Sequence, residues 1–383
     1  MARPSDPAAS LPLSERASPD EPDPQAPNVR ADQRAYFRAL PKAELHLHLD
    51  GSLRPATALL LARERGLATA ADDATAMRAR LVAPLPCRDQ AELLRAFDLP
   101  IALLQDAQAL EQVAHELVED VAADGTRYVE IRWAPALHTA RGLRLRDGLA
   151  AVVAGVRSGS RASAARGRPV VTRLIVVAMR SHPPEANASV ARAAVTAAPD
   201  GVMGFDLAGP EAAFPDPLQH RRAFEIARAG GLGITIHAGE WGGAAQVRRA
   251  LAVAPQRIAH GAPAADDPAL MAELRDRGVT LDVCPTSNWQ AGLVTSLGLH
   301  PLPRLVRASV PVTISTDDRT VSDLTLPREY GRAHQLLGLT VPELVALDRH
   351  ALEVAFLHDD EPMRAALRAE FAAFSRSWPG PRG

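Results

Sequence analysis

The chain has 383 residues, 47% of them apolar, and a formal net charge of −2. This is enough for a large buried core, and it exceeds the roughly 250 residues of a typical (β/α)8 barrel, leaving room for added helices. The near-neutral charge without a basic run excludes a polyanion partner. Two isolated cysteines, Cys87 and Cys284, exclude a disulfide scaffold or thiolate metal site, and no apolar run reaches the ~20 residues of a membrane span.

Residues 1–32 are rich in Pro, Ala, Ser and Asp and lack the apolar stretch of a secretory signal. They are expected to form a disordered tail, with a single catalytic domain over 33–383 and a cytoplasmic location. Strand-like apolar runs then alternate with Ala/Leu/Arg-rich segments of helical periodicity. The runs fall at 43–48, 127–133, 172–179, 202–207, 233–238, 256–260, 279–284 and 311–316. That count, with crossover-length segments between the runs, predicts an α/β fold, a closed (β/α)8 TIM barrel rather than an open sheet. The long gap 53–126 and the stretch from 341 onward predict extra helices after strand 1 and at the C-terminus. Within the gap, the run from Ala91 to Asp98 is amphipathic, with Leu93, Leu94 and Phe97 on one side. It reads either as a helix packed on the barrel or as a lid giving a flat substrate an apolar wall. Asn187-Ala188-Ser189 fits a glycosylation sequon and is read as chance.

Polar groups gather where the strands should stop, the end at which a parallel barrel carries its chemistry. His46 and His48 are two apart, so on a strand both side chains leave the same face and can converge. His237 ends the fifth run and Glu240 follows it; His260 ends the sixth; Asp317 and Asp318 end the eighth. Three neutral imidazoles and a carboxylate suit Zn²⁺, and only one ion per subunit is implied. A binuclear barrel hydrolase would want a bridging carboxylate or modified lysine on strand four, and Gly204-Phe205-Asp206-Leu207 offers no lysine there. Zinc lowers the pKa of water from about 15.7 toward ~7. Glu240 stands where it can shuttle the proton, His260 where it can orient the nucleophile, and the adjacent Asp317 and Asp318 should diverge, one to the metal and one to the substrate.

These motifs carry a family resemblance. Pro41 to Gly51, Tyr128-Val129-Glu130-Ile131-Arg132, Asp206-Leu207-Ala208-Gly209, His237-Ala238-Gly239-Glu240, His260-Gly261, Cys284-Pro285-Thr286-Ser287-Asn288 and Ser315-Thr316-Asp317-Asp318 resemble, in order, those of the adenosine deaminases. The resemblance spans about residues 38 to 375 and looks like an actinobacterial branch. It implies one catalytic zinc on His46, His48, His237 and Asp317, Glu240 as proton shuttle to purine N1, and His260 as partner of the attacking hydroxide. It also implies that Asp318 bonds N7, that the Gly209 N–H reaches N3, and that His48 and Asp50 hold the ribose 5′-hydroxyl. The implied partner is a small purine nucleoside, with no nucleic acid and no membrane; oligomeric state stays open. The H-x-E…P-C-x-x-C signature of cytidine-type deaminases is absent. Arg319 stands where the family often has proline, Trp289 where a smaller apolar residue is common, and Leu93 where some members carry an aromatic; these bear on substrate breadth. The alternative on the same fold is a deaminase of adenine or another 6-aminopurine derivative, and Asp50 favours the nucleoside because adenine-specific relatives tend to carry glutamate there. An unrelated metallohydrolase and a barrel that only binds are the remaining readings.

Overall fold

In a computed structural model, residues 22–67, 71–357 and 360–378 are described. The strands are β1 (Lys42–His48), β2 (Thr126–Trp133), β3 (Val171–Met179), β4 (Val202–Ala208), β5 (Gly233–Ala238), β6 (Arg257–His260), β7 (Thr280–Val283) and β8 (Val312–Ile314). They follow one another in sequence order as parallel neighbours. The cylinder closes through a parallel bridge between Leu47 and Asp317. There the His48 N–H donates to the Asp317 carbonyl at 2.7 Å and the Asp317 N–H to the His46 carbonyl at 3.1 Å. This is the (β/α)8 barrel that the alternating runs imply, and its seam lies at the strand ends that carry His46, His48 and Asp317.

Most of the apolar residues of β3, β4 and β5 are buried beneath the covering helices, and β1 to β4, β6 and β7 also carry charged residues. The interior is ionic as well as apolar. Arg132 sits fully buried between Asp206 (2.7 Å) and Asp282 (2.8 Å). Arg257 pairs with Glu130 and lies 3.2 Å from Asp282. Such charges survive burial only because each has partners. At the opposite end Phe356 plugs the barrel, its ring under the Arg257 guanidinium at 3.9 Å. Gly204 and Gly233 face that ring, and a Cβ on either would lie 2.8 or 2.4 Å from it, so the plug requires glycine on both strands.

Among the described residues, five α-helices fill the gap between β1 and β2: Pro55–Glu64, Ala74–Leu81, Gln90–Arg95, Asp98–Leu103 and Ala107–Ala123. Leu326–Gln335, Val341–Val354 and Glu361–Ser377 close the chain. Among the described residues no helix is long and apolar enough to cross a membrane. Residues 1–21 of the expected tail lie outside the described residues. Its last part is packed: Ala26 and Val29 are buried, and the helix Ala31–Ala39 begins within it. Asp23 is buried against Arg332 in a bidentate pair (2.6 and 3.0 Å), an anchor that composition does not reveal. Asn187 of the sequon is fully buried and holds Met179 and His220, so it is a structural amide with no room for a glycan.

Candidate metal centre and active site

β1 delivers His46 and His48 from one face, as the period of two requires. Their Nε2 atoms lie 3.2 Å apart, and His48 Nε2 lies 3.2 Å from His237 Nε2 at the end of β5. Asp317 Oδ1 is 3.0 Å from His46 Nε2 and 3.4 Å from His48 Nε2. Ligands about 2.0–2.1 Å from one tetrahedral ion stand roughly 3.3 Å from one another. The spacings around His48, and that between His46 and Asp317, are those of ligands about one small cation, and His237 lies within 4.8 Å of His46 and Asp317. His260 joins them more loosely: it, His46, His237 and Asp317 offer ligand atoms within 4.8 Å of one another.

The outer nitrogens are held as well. His237 Nδ1 faces Asp206 Oδ2 at 2.9 Å, and His46 Nδ1 faces the Asp282 carbonyl at 3.4 Å. Ser287 donates to Asp317 Oδ2 at 2.6 Å, leaving Oδ1 for the cluster. Burial pushes the His46 imidazole well below its ordinary value, with the Arg132 charge adding to it, and brings His48 down to about 4. Both rings are thus neutral with a free lone pair, the form a metal needs. Burial pushes Asp317 up, but the His46 and His260 rings outweigh it and hold the carboxylate ionised. The donor set fits zinc.

Asp317 and His260 both adopt left-handed backbone, with φ of 65° and 67°. Non-glycine residues bear a cost of order 1–3 kcal/mol for this, and it is met where the surrounding structure holds the residue for a purpose. At Asp317 the turn separates the two neighbouring acids. Asp317 goes to the histidines, while Asp318 points across to Gly51, where a Cβ would lie 1.7 Å from its Oδ1.

Around this centre lies a cavity of about 210 Å³. His48, Asp50, Gly209, His237, Glu240, His260, Asp317 and Asp318 all line it, and fully buried His46 sits beneath. Its other wall is apolar, with Leu93, Leu94 and Phe97 from the β1–β2 insertion among the lining residues. The insertion therefore takes the lid position, and Leu93 is both packed and lining. Trp289 is not among the lining residues and packs on the core behind the rim. Arg319 is buried and pairs with Asp124 at 2.5 Å, away from the cavity.

Burial and the charge of Asp317 push Glu240 up to about 8. Burial and its acidic neighbours Asp317, Asp50 and Glu240 push Asp318 well above the carboxylate range, and its Oδ1 has no hydrogen-bond partner. Glu240 is therefore a neutral acid at pH 7 and can donate a proton, and at Asp318 the same burial favours the protonated form. Asp50 differs: burial raises it, but His138, 3.6 Å away, outweighs this and keeps it ionised.

Several residues that hold the site were given no role on sequence grounds. Glu211 accepts from the N–H groups of Gly239 (2.7 Å), Trp241 (3.0 Å) and Gly242 (3.0 Å) and so clamps the turn carrying Glu240. Asp206, Arg132, Ser287 and Asn288 lie inside quoted motifs; for Arg132 and Asp206 a charged residue within a strand was the available signal, while Ser287 and Asn288 sit on the helix Pro285–Gln290 that follows β7. Glu211 and His300 stand outside any motif.

The chain matches the family model described as adenosine deaminase over residues 41–372. It is 36% identical over 329 residues to an adenosine deaminase of Enterococcus faecalis, covering 86% of this chain and 96% of that one. An adenosine deaminase of Mycobacteroides abscessus is 40% identical over 334 residues, covering 84% and 91%. Among solved structures, an adenine deaminase from Arthrobacter aurescens superposes with a TM-score of 0.78 at 28% identity, covering 88% of this chain and 100% of that one. An amidohydrolase from Burkholderia ambifaria with bound Zn has a TM-score of 0.80 at 26% identity, covering 91% and 95%. The N6-mAMP deaminase of Arabidopsis has a TM-score of 0.78 at 28% identity, covering 88% and 99%.

Proposed function

The chain belongs to the adenosine deaminase family and is a hydrolytic deaminase, and we propose that it works with one zinc ion held by His46, His48, His237 and Asp317. Its reaction converts adenosine and 2′-deoxyadenosine to inosine and 2′-deoxyinosine, releasing ammonia. The observation that carries the zinc assignment is that His48 Nε2 lies 3.2–3.4 Å from His46 Nε2, His237 Nε2 and Asp317 Oδ1, and His46 Nε2 lies 3.0 Å from Asp317 Oδ1, beside a carboxyl raised to about 8. The related amidohydrolase with bound Zn supports the choice of metal.

When bound, zinc supplies the positive charge that makes water acidic enough to act as a nucleophile near neutral pH. The protein does the rest. Glu240, protonated at pH 7, delivers its proton to purine N1 and so makes C6 electrophilic; as a carboxylate it takes a proton from the attacking water and passes it to the departing amine. His260 orients the nucleophile. Asp318, whose buried Oδ1 has no hydrogen-bond partner, bonds N7, and the Gly209 N–H reaches N3. His48 and ionised Asp50 hold the 5′-hydroxyl at the open end. The apolar wall of Leu93, Leu94 and Phe97 covers the ring and excludes bulk water.

The lining also bears on the alternatives. No arginine or lysine is among the described residues lining the cavity, so a 5′-phosphate finds no cation there. That supports a nucleoside over a nucleotide. Ammonia release from adenosine, 2′-deoxyadenosine, adenine and AMP by the zinc-loaded protein tests the reading. Release from the two nucleosides is expected, and release from adenine or AMP alone replaces the substrate. Glu240→Gln should keep its zinc and lose about 10²–10⁴-fold in turnover; near-normal turnover would overturn the mechanism.

A further inference from the structure

We propose that His300 and Asn288 form a positioning relay that sets which ring nitrogen of His260 carries the proton, making His260 a hydrogen-bond donor to the attacking oxygen rather than its base. The inference rests on the reading of His260 as a residue of the deaminase centre.

The relay starts at a group whose polarity is beyond choice. The backbone N–H of Leu302 donates to His300 Nδ1 at 3.1 Å. With Nδ1 accepting, the neutral His300 ring carries its hydrogen on Nε2, and that nitrogen lies 3.1 Å from Asn288 Oδ1. This orients the Asn288 amide, whose Nδ2 donates to His260 Nδ1 at 3.1 Å. With Nδ1 accepting, His260 carries its hydrogen on Nε2. That atom faces the cavity, 3.8 Å from Glu240 Oε2 and 3.8 Å from Asp317 Oδ2.

Reversing the relay is costly at its far end. A hydrogen on His260 Nδ1 would require Asn288 to turn over and donate to His300 Nε2. His300 would then carry its hydrogen on Nδ1, pointed at the Leu302 N–H. Two donors would meet at 3.1 Å away from bulk solvent, because His300, Asn288 and His260 are 3%, 0% and 1% exposed. Burial also brings His300 down to about 3, so the ring stays neutral and the direction holds across the working pH range. An Nε2–H in the cavity can stabilise developing negative charge on the nucleophile. It has no lone pair there with which to take the proton, and that task is left to Glu240. The stakes are large: in serine-protease triads the wrong histidine tautomer costs about 10⁴ in turnover.

Long-range ¹H–¹⁵N correlation on zinc-loaded protein with ¹⁵N-labelled histidine reads the tautomer directly, with His260→Asn identifying the signal. The expected native state is Nε2–H. Asn288→Asp places an acceptor against Nδ1 and should move the hydrogen to Nδ1, lower kcat by about 10²-fold or more and leave KM within about threefold, with one zinc per chain retained. His300→Gln, which can still donate to Asn288, should keep the Nε2–H signal and most of kcat, whereas His300→Phe should lose both. This second pair carries the test if Asn288→Asp does not fold. Nδ1–H in the native protein, an unmoved tautomer in Asn288→Asp, or equal kcat in His300→Gln and His300→Phe overturns the relay. A protein with the Nε2–H signal but no deaminase activity would instead overturn the functional reading, so the two failures are distinguishable.

Discussion

A single carboxylate, Asp206, fixes the orientation of His237. It lies 2.9 Å from Nδ1 and is itself held by Arg132 at 2.7 Å, so the ring turns its Nε2 to His48 and the metal point. Asp206→Asn should weaken zinc binding by about 10–100-fold in competition with a chelator, with the fold retained. Glu240 gives a second expectation, in the zinc-free protein. Its folded value is raised from 4.5 to about 8, so the native state binds the proton more tightly than the unfolded chain. The stability this supplies is fully present below about 4.5 and is lost as pH rises through about 8. Thermal midpoints of zinc-free protein against pH should therefore decline across that window more steeply than those of Glu240→Gln; parallel curves would refute the shift. At this scale the sequence showed most of the groups that face the cavity, because histidines and acids at strand ends are conspicuous. The residues behind them were harder to see. Glu211 acts through backbone N–H groups, Ser287 through the Asp317 carboxylate, and Asn288 and His300 through one another, and such partnerships depend on distances across the fold.

The helices after β1 show how an element becomes part of a site. The helix Gln90–Arg95 is started by Asp89, whose side chain accepts from the Glu92 N–H, and it is too short to be stable alone. It persists because Leu93 and Phe97 pack with Ala83, Cys87, Ala291 and Val321 while also facing the cavity. Phe97→Ala removes part of the apolar wall without touching the metal cluster. It should raise KM for adenosine roughly 10-fold with kcat nearly unchanged, as measured by steady-state kinetics. Periodicity made this piece legible as amphipathic and left open whether it was a helix packed on the barrel or a lid; only its place over the barrel mouth answers that. The strands were legible for a simpler reason, since covering helices force long apolar runs. β7 and β8 are shorter than their apolar runs because the chain leaves the sheet early. At β8 the left-handed turn at Asp317 is what swings the carboxylate to the histidines.

At the scale of the whole molecule, the N-terminal segment is tied to the last third of the chain. Asp23 and Arg332 are both 4% exposed and form a bidentate pair, with Arg332 also reaching Thr286 Oγ1 at 3.1 Å. Removing one partner leaves a buried charge without compensation. Asp23→Ala should therefore lose about 3–5 kcal/mol in chemical unfolding while its zinc content holds. Composition suggested disorder for this segment because Pro, Ser and Asp are usually solvated. A buried arginine more than three hundred positions away reverses that preference for Asp23, and no local signal announces it. By itself the sequence determined the barrel, the rim and the metal-type residues, since these follow from local periodicity and residue chemistry. The tertiary structure decided the rest: the seam that joins Asp317 to His46 and His48, the burial that raises Glu240 and Asp318 above the ordinary carboxylate range, and the relay behind His260. Those properties come from desolvation and from contacts between residues far apart in the chain, which no window along the sequence contains.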